Sequence, residues 1–241
     1  MESGVILSPA AKDYLNQVHV RVLFDLPSGG SSSDITGASS SHASTSGTSY
    51  TGPGSEARYY TDALTGEIYY DKPECMTHLT GNMLVHKDHA RIAFRGALDH
   101  LESQIVVAQA TLCARYPEQL ITDLEDVLTF VRNLLRAEVL DEPVGESKLL
   151  GLSSAELREQ SHHPEKHFGV KPMTLPHYSM GEGFAHLNLL RSQSRQVEIA
   201  AVSAYRNGNS VSNPEIVLAL NRLSSGFHIL CCRLLSGYYG N

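Results

Sequence analysis

The stretch that decides the fold is IVLALNRLSSGFHILCCRLL, residues 216–235, in which Ile216, Leu220, Leu223, Phe227, Leu230 and Leu234 recur at steps of three and four. That spacing places all six on one face of an α-helix. Asn213 and Pro214 precede it as an N-cap and a first-turn proline, so the helix start is marked as well. Working outward, the same step pattern recurs at Leu98, Leu101, Ile105, Ala108 and Leu112, and again at Leu120, Leu124, Val127, Val131 and Leu134, the latter behind Pro117. A fourth helix is expected from about Gly183 to Tyr205, and a shorter one opens at Ser153 and Glu156 with capping-box spacing. Single apolar stripes on long helices are buried most economically against each other. The expectation is an all-α protein, a four- or five-helix bundle with a small N-terminal helix/strand element.

The rest of the chain divides by composition. Residues 1–27 carry Ser8-Pro9, a helix start, and Val18 to Phe24, which alternates like a strand. Residues 28–55 are almost wholly Ser, Gly, Thr and Ala and read as a disordered linker without chemistry. Residues 56–88 hold two short aromatic runs around DALTGE, a hairpin signal, followed by a candidate nucleotide-binding loop. Residues 89–241 form the helical domain. At 241 residues the chain suits one main domain with appendages.

Formal charge of −7 argues against a nucleic-acid partner, which would need a basic stripe. The start of the chain shows no leader pattern, and no apolar run approaches about 18 residues, so no membrane span and a cytoplasmic location are expected. Cys75, Cys113, Cys231 and Cys232 fall at no paired spacing and read as reduced thiols.

Polar residues break the bundle pattern in three places. Thr77, His78, Thr80, Gly81 and Asn82, with Lys87 after them, could cradle phosphate through backbone N–H groups and a point charge, or form an ordinary turn. Arg191, Arg195 and Glu198 share a helical face, which suits either a polyphosphate or a salt-bridged surface. Asn221 lies beside the Leu220/Leu223 stripe as a satisfied boundary residue or a ligand contact.

In order and spacing these three segments resemble the corrinoid adenosyltransferases. THLTGNMLVHKDHARIAFRGALD at 77–99 is similar to the loop, Lys-Asp pair and helix start of the propanediol-utilisation type. LLRSQSRQVEIAA at 189–201 resembles the double-arginine helix, and ALNRLSS at 219–225 the Asn-Arg-Leu-Ser helix. LLRAEVLDEPVG, LLGLSSAEL, HLNLLRS and ILSPAAKDYL resemble the ethanolamine-utilisation branch.

The resemblance implies transfer of the 5′-deoxyadenosyl group of ATP to Co(I) of a reduced cobalamin, releasing triphosphate, with Mg²⁺ on the phosphates. It assigns Arg191, Asp99 and Lys87 to catalysis, Asp99 orienting Arg191. Thr77, His78, Gly81, Lys87, Arg191, Arg195, Glu198 and Asn221 would bind ATP, and Phe168 and Met173 would contact the corrinoid. It further implies a homo-oligomer, a trimer by preference, with sites between subunits. A flavin reductase and ethanolamine ammonia-lyase would be its functional partners, near a bacterial microcompartment. Two departures bear on the site: nothing before Thr77 matches the TKTGD-type nucleotide loop of the propanediol type, and the His and CCxxC metal motif of some ethanolamine-type members is reduced to Cys75. No resident metal site is therefore expected. His162, His163, His167 and His177 form a histidine-rich stretch read as solvated. The alternative from another class is a non-catalytic corrinoid or nucleotide-binding carrier, or a regulatory bundle.

Overall fold

The computed structural model describes residues 59–145, 148–172 and 174–240; the expected N-terminal element and the Ser/Gly-rich stretch lie outside them. Among the described residues six α-helices follow in order: α1 Ala90–Leu112, α2 Glu118–Leu140, α3 Ser154–His162, α4 Pro164–Phe168, α5 Gly181–Tyr205 and α6 Pro214–Leu235. The four long ones pack as a bundle, α1 against α2 and α5, and α5 against α6, while α3 closes over α6. The periodic residues read from the sequence are the ones that disappear from solvent. Leu98, Leu101, Ile105, Ala108 and Leu112 of α1 and Ile216, Leu220, Leu223, Phe227 and Leu230 of α6 all enter one core. Each such aliphatic or aromatic side chain contributes about 1.5–3 kcal/mol on burial.

The helix ends are marked by the expected residues. Asn213 accepts from the Ile216 N–H, and Ser153 and Glu156 form a reciprocal capping box. Pro117 stands one place earlier than expected, as the N-cap residue of α2. Asp141 ends α2 in the left-handed conformation, φ 55°.

Ahead of the bundle lies a four-stranded sheet of β1 Tyr60–Asp62, β2 Ile68–Tyr69, β3 Met76–Thr80 and β4 Met83–His86, in the order β2-β1-β4-β3. The DALTGE turn closes the expected hairpin because the Asp62 carboxylate accepts from the N–H groups of Leu64 (2.7 Å) and Thr65 (3.0 Å). β1 then runs parallel to β4, which joins the two hairpins into one sheet. A small hairpin of β5 Arg206–Asn207 and β6 Ser210–Val211 turns the chain from α5 to α6.

One buried ionic cluster ties sheet to bundle. The Glu138 side chain, with no solvent exposure, accepts from Arg91 Nε (2.7 Å) and from Arg95 Nε, both on α1. Arg91 Nη2 also reaches the Glu138 main-chain oxygen (2.9 Å), and its guanidinium lies over the Tyr205 ring. Arg95 sends Nη1 and Nη2 to the carbonyls of His78 (3.1 Å) and Leu79 (2.7 Å) on β3. Among the described residues no helix is long and apolar enough to cross a membrane.

Candidate active site

Arg195 and Glu198 stand on the outer face of α5. With Ile199, Val202, Ser203 and Arg206 they line a groove of about 560 Å³. These six positions fall at i, i+3, i+4, i+7, i+8 and i+11, one stripe of the helix. The groove thus has an arginine at each end and an apolar floor between them. Glu198 Oε1 accepts from Asn221 Nδ2 at 3.2 Å, so two of the residues singled out in the sequence meet across α5 and α6. Beside Asn221, the Nε of Arg222 is buried without a partner. Burial and the neighbouring Arg158 charge lower the proton affinity of that guanidinium.

Arg191 is half-buried on α5. Its Nε and Nη2 both donate to Asn188 Oδ1, at 3.2 and 3.0 Å, and its charge acts on His228 and Cys231 of α6. Asp99, expected to orient it, is exposed on α1 and makes no ion pair among the described residues. The reason is local: Asn188, one turn before Arg191, already supplies an acceptor, while Asp99 sits one residue past the buried Leu98 and faces outward.

The 77–82 segment expected as a loop is instead a strand and a tight turn. Thr77 and His78 belong to β3, and Gly81 turns the chain into β4 with φ 54°. Burial, with the charge of Lys72, lowers the His78 imidazole below its ordinary value. Lys87 is exposed and 3.8 Å from Glu74. Within one chain, no hydrogen bond or ion pair joins these sheet residues to Arg191, Arg195 or Asn221 among the described residues.

Phe168 ends α4 half-buried and packs onto the core, an anchor for the segment after it. Met173 lies outside the described residues. His163, Lys166 and His167 gather around Glu159 on the surface. Among the described residues, no three His, Cys, Asp or Glu side chains come together as a metal shell.

The family model described as Cobalamin adenosyltransferase matches residues 70–234. The chain belongs to the cobalamin adenosyltransferase family. It is 34% identical over 160 residues to the corrinoid adenosyltransferase EutT of Salmonella typhimurium LT2, and 33% identical over 160 residues to the EutT of Escherichia coli K12. Each alignment covers 66% of this chain and 58% of the relative, so the chain matches little more than half the length of these proteins.

Every site residue assigned by resemblance falls inside the stretch that matches the cobalamin adenosyltransferase model. Glu138, Arg91 and Arg95 fall there too, none of them among the expected site residues. Their signal was available: Arg91 and Arg95 flank Phe94 on the apolar stripe of α1, and Glu138 continues the Val127, Val131, Leu134 stripe of α2. Charged residues in register with a buried stripe are either paired or functional.

Proposed function

We propose that this chain transfers the 5′-deoxyadenosyl group of ATP to the cobalt of a reduced cobalamin. The observation that carries this reading is the Glu198–Asn221 contact beside Arg195 in the α5 groove, inside the family match. In the reaction Co(I) donates its electron pair to the ribose C5′. That pair becomes the cobalt–carbon bond, the C5′–oxygen bond breaks, triphosphate leaves with the electrons of the broken bond, and cobalt ends as Co(III). The protein's part is alignment and charge neutralisation. Arg195 and Arg191 meet the departing triphosphate, Asn221, fixed by Glu198, orients the nucleoside, and Lys87, Thr77, His78 and Gly81 border the phosphates.

Glu198 is the one carboxylate lining the groove among the described residues, so Mg²⁺ would arrive with ATP and would help to neutralise its phosphate charge. The two halves of the clamp share no hydrogen bond or ion pair within one chain among the described residues, and a second copy completes the site, in a trimer, with Asp99 of one subunit facing Arg191 of the next. Phe168 and Met173 border the corrinoid. A flavin reductase supplies the reductant, ethanolamine ammonia-lyase uses the product, and the setting is the cytoplasm beside a microcompartment.

An anaerobic assay with ATP and chemically reduced cobalamin tests the reading. Adenosylcobalamin should form with one triphosphate per turnover. Tight binding of both substrates with no triphosphate released would establish the carrier instead.

A further inference from the structure

Along a regular strand successive carbonyls point to opposite sides. On β3 the carbonyls of His78 and Leu79 nevertheless both accept from the single guanidinium of Arg95. The strand register explains how. His78 pairs with Leu84 and Thr80 with Met83, so Leu79 is an extra residue, a β-bulge on an edge strand. A bulge leaves main-chain groups without ladder partners and re-aims the side chains that follow it. Here the fork of Arg95 takes up both carbonyls. Its direction is set by its Nε, which is held by the fully buried Glu138.

Arg91 supplies an internal comparison. It shares the same carboxylate, yet its other contacts are the Glu138 main-chain oxygen and the Tyr205 ring, and it makes no hydrogen bond to the sheet. Of two like residues one turn apart, only Arg95 carries the cluster into the strand.

We propose that Arg95 and Glu138 are positioning residues that hold the Leu79 bulge and so aim the Gly81 turn at the nucleotide. The proposal rests on the adenosyltransferase reading above. Without the bulge, β3 would slip by one residue from Leu79 onward, and a one-residue slip sends every following side chain to the other face. Thr80 would change sides and the turn would be re-formed. A lysine at position 95 keeps the charge against Glu138 but presents no fork, so the fold is kept while the bulge is released.

The test compares three variants of the full chain: Arg95→Lys, Arg91→Lys and Arg195→Ala. ATP affinity is measured by calorimetry, and amide exchange by mass spectrometry over residues 76–84. Arg95→Lys should weaken ATP binding about tenfold and raise exchange in 76–84 alone. Arg91→Lys should leave both unchanged, although it disturbs the same carboxylate. Arg195→Ala should weaken ATP binding with exchange in 76–84 unaltered. Should Arg95→Lys not fold, Arg95→Gln takes its place, since its carboxamide can reach one carbonyl but not two. If Arg195→Ala loses affinity while Arg95→Lys stays within twofold of the parent, the positioning role is overturned and the nucleotide reading stands. Equal losses in Arg95→Lys and Arg91→Lys would reduce the cluster to a structural support and also overturn it. If neither Arg95→Lys nor Arg195→Ala changes ATP affinity, both the proposal and the reading beneath it fall.

Discussion

Asn221 on α6 donates its Nδ2 to Glu198 Oε1 on α5 at 3.2 Å, and this contact fixes the amide at the edge of the Arg195 groove. Asn221 is exposed, so the bond adds less than about 1 kcal/mol to stability. Asn221→Ala should therefore melt close to the parent while turnover with ATP falls at least tenfold. Glu198→Gln, which can still accept from Asn221, should lose less. Thermal melts and steady-state kinetics on the same preparations decide this, and a variant with unchanged kcat/KM would remove Asn221 from the site.

Asp99 and Arg191 do not meet within one chain, which turns their expected partnership into a question about assembly. Arg191→Ala should cost about 2–4 kcal/mol of transition-state stabilisation, mostly in kcat. Mixing inactive Asp99→Ala and Arg191→Ala subunits and allowing them to reassemble should restore activity at about a quarter of the interfaces, those that receive an intact residue from each side. A mixture that stays as inactive as its components would place the pair, or its absence, within a single subunit.

Gly183 at the start of α5 lies against Tyr116. A β-carbon there would come within 2.7 Å of the Tyr116 ring, whose hydroxyl accepts the Gly183 N–H at 2.8 Å. Gly183→Ala should destabilise the fold by about 1–3 kcal/mol through overpacking, read as a lowered midpoint in urea. Combining it with Tyr116→Ala should recover part of the loss specific to the clash.

His228 sits half-buried on α6 with Cys232 Sγ 3.7 Å from its Nε2. Burial, together with the charges of Arg191 and His162, holds its imidazole below the ordinary value. The unfolded chain, with a value of about 6.5, then takes up a proton that the folded one refuses. Stability should decline as pH falls through about 6.5 and level off below the folded value. Melting temperature against pH for the parent and His228→Asn measures this contribution, and superimposed slopes would assign it elsewhere.

The helical core was legible because burial in a bundle follows a period that residues such as Leu98, Ile105, Leu223 and Phe227 display on their own. Helix ends were legible where one side chain caps them, as Asn213 and Ser153 do. What could not be read was register between elements. Nothing in the order of residues says that Glu138 lies level with Arg91 and Arg95, because that depends on how far α2 runs back along α1. The 77–82 segment misled for a related reason: Thr, His and Gly suit a turn, but pairing with Met83–His86 makes most of it an edge strand. Arg195, Glu198 and Asn221 broke the bundle pattern, but only the resemblance gave them a role, since two arginines one turn apart fit a solvated face as well.

The Asp123 carboxylate, buried on α2, has Arg233 Nη1 at 2.8 Å and the Tyr239 hydroxyl at 2.7 Å as partners, with Gln119 at 3.0 Å on its other oxygen. Two of these three lie more than a hundred residues later in the chain. At about 5–20 residues per second, Asp123 emerges from the ribosome on the order of ten seconds before Arg233, which neutralises it, and Tyr239, which donates to it. During that interval the apolar flank of α2 cannot close around it without stranding a charge, so the completed bundle is withheld until the segment around Arg233 and Tyr239 has been released.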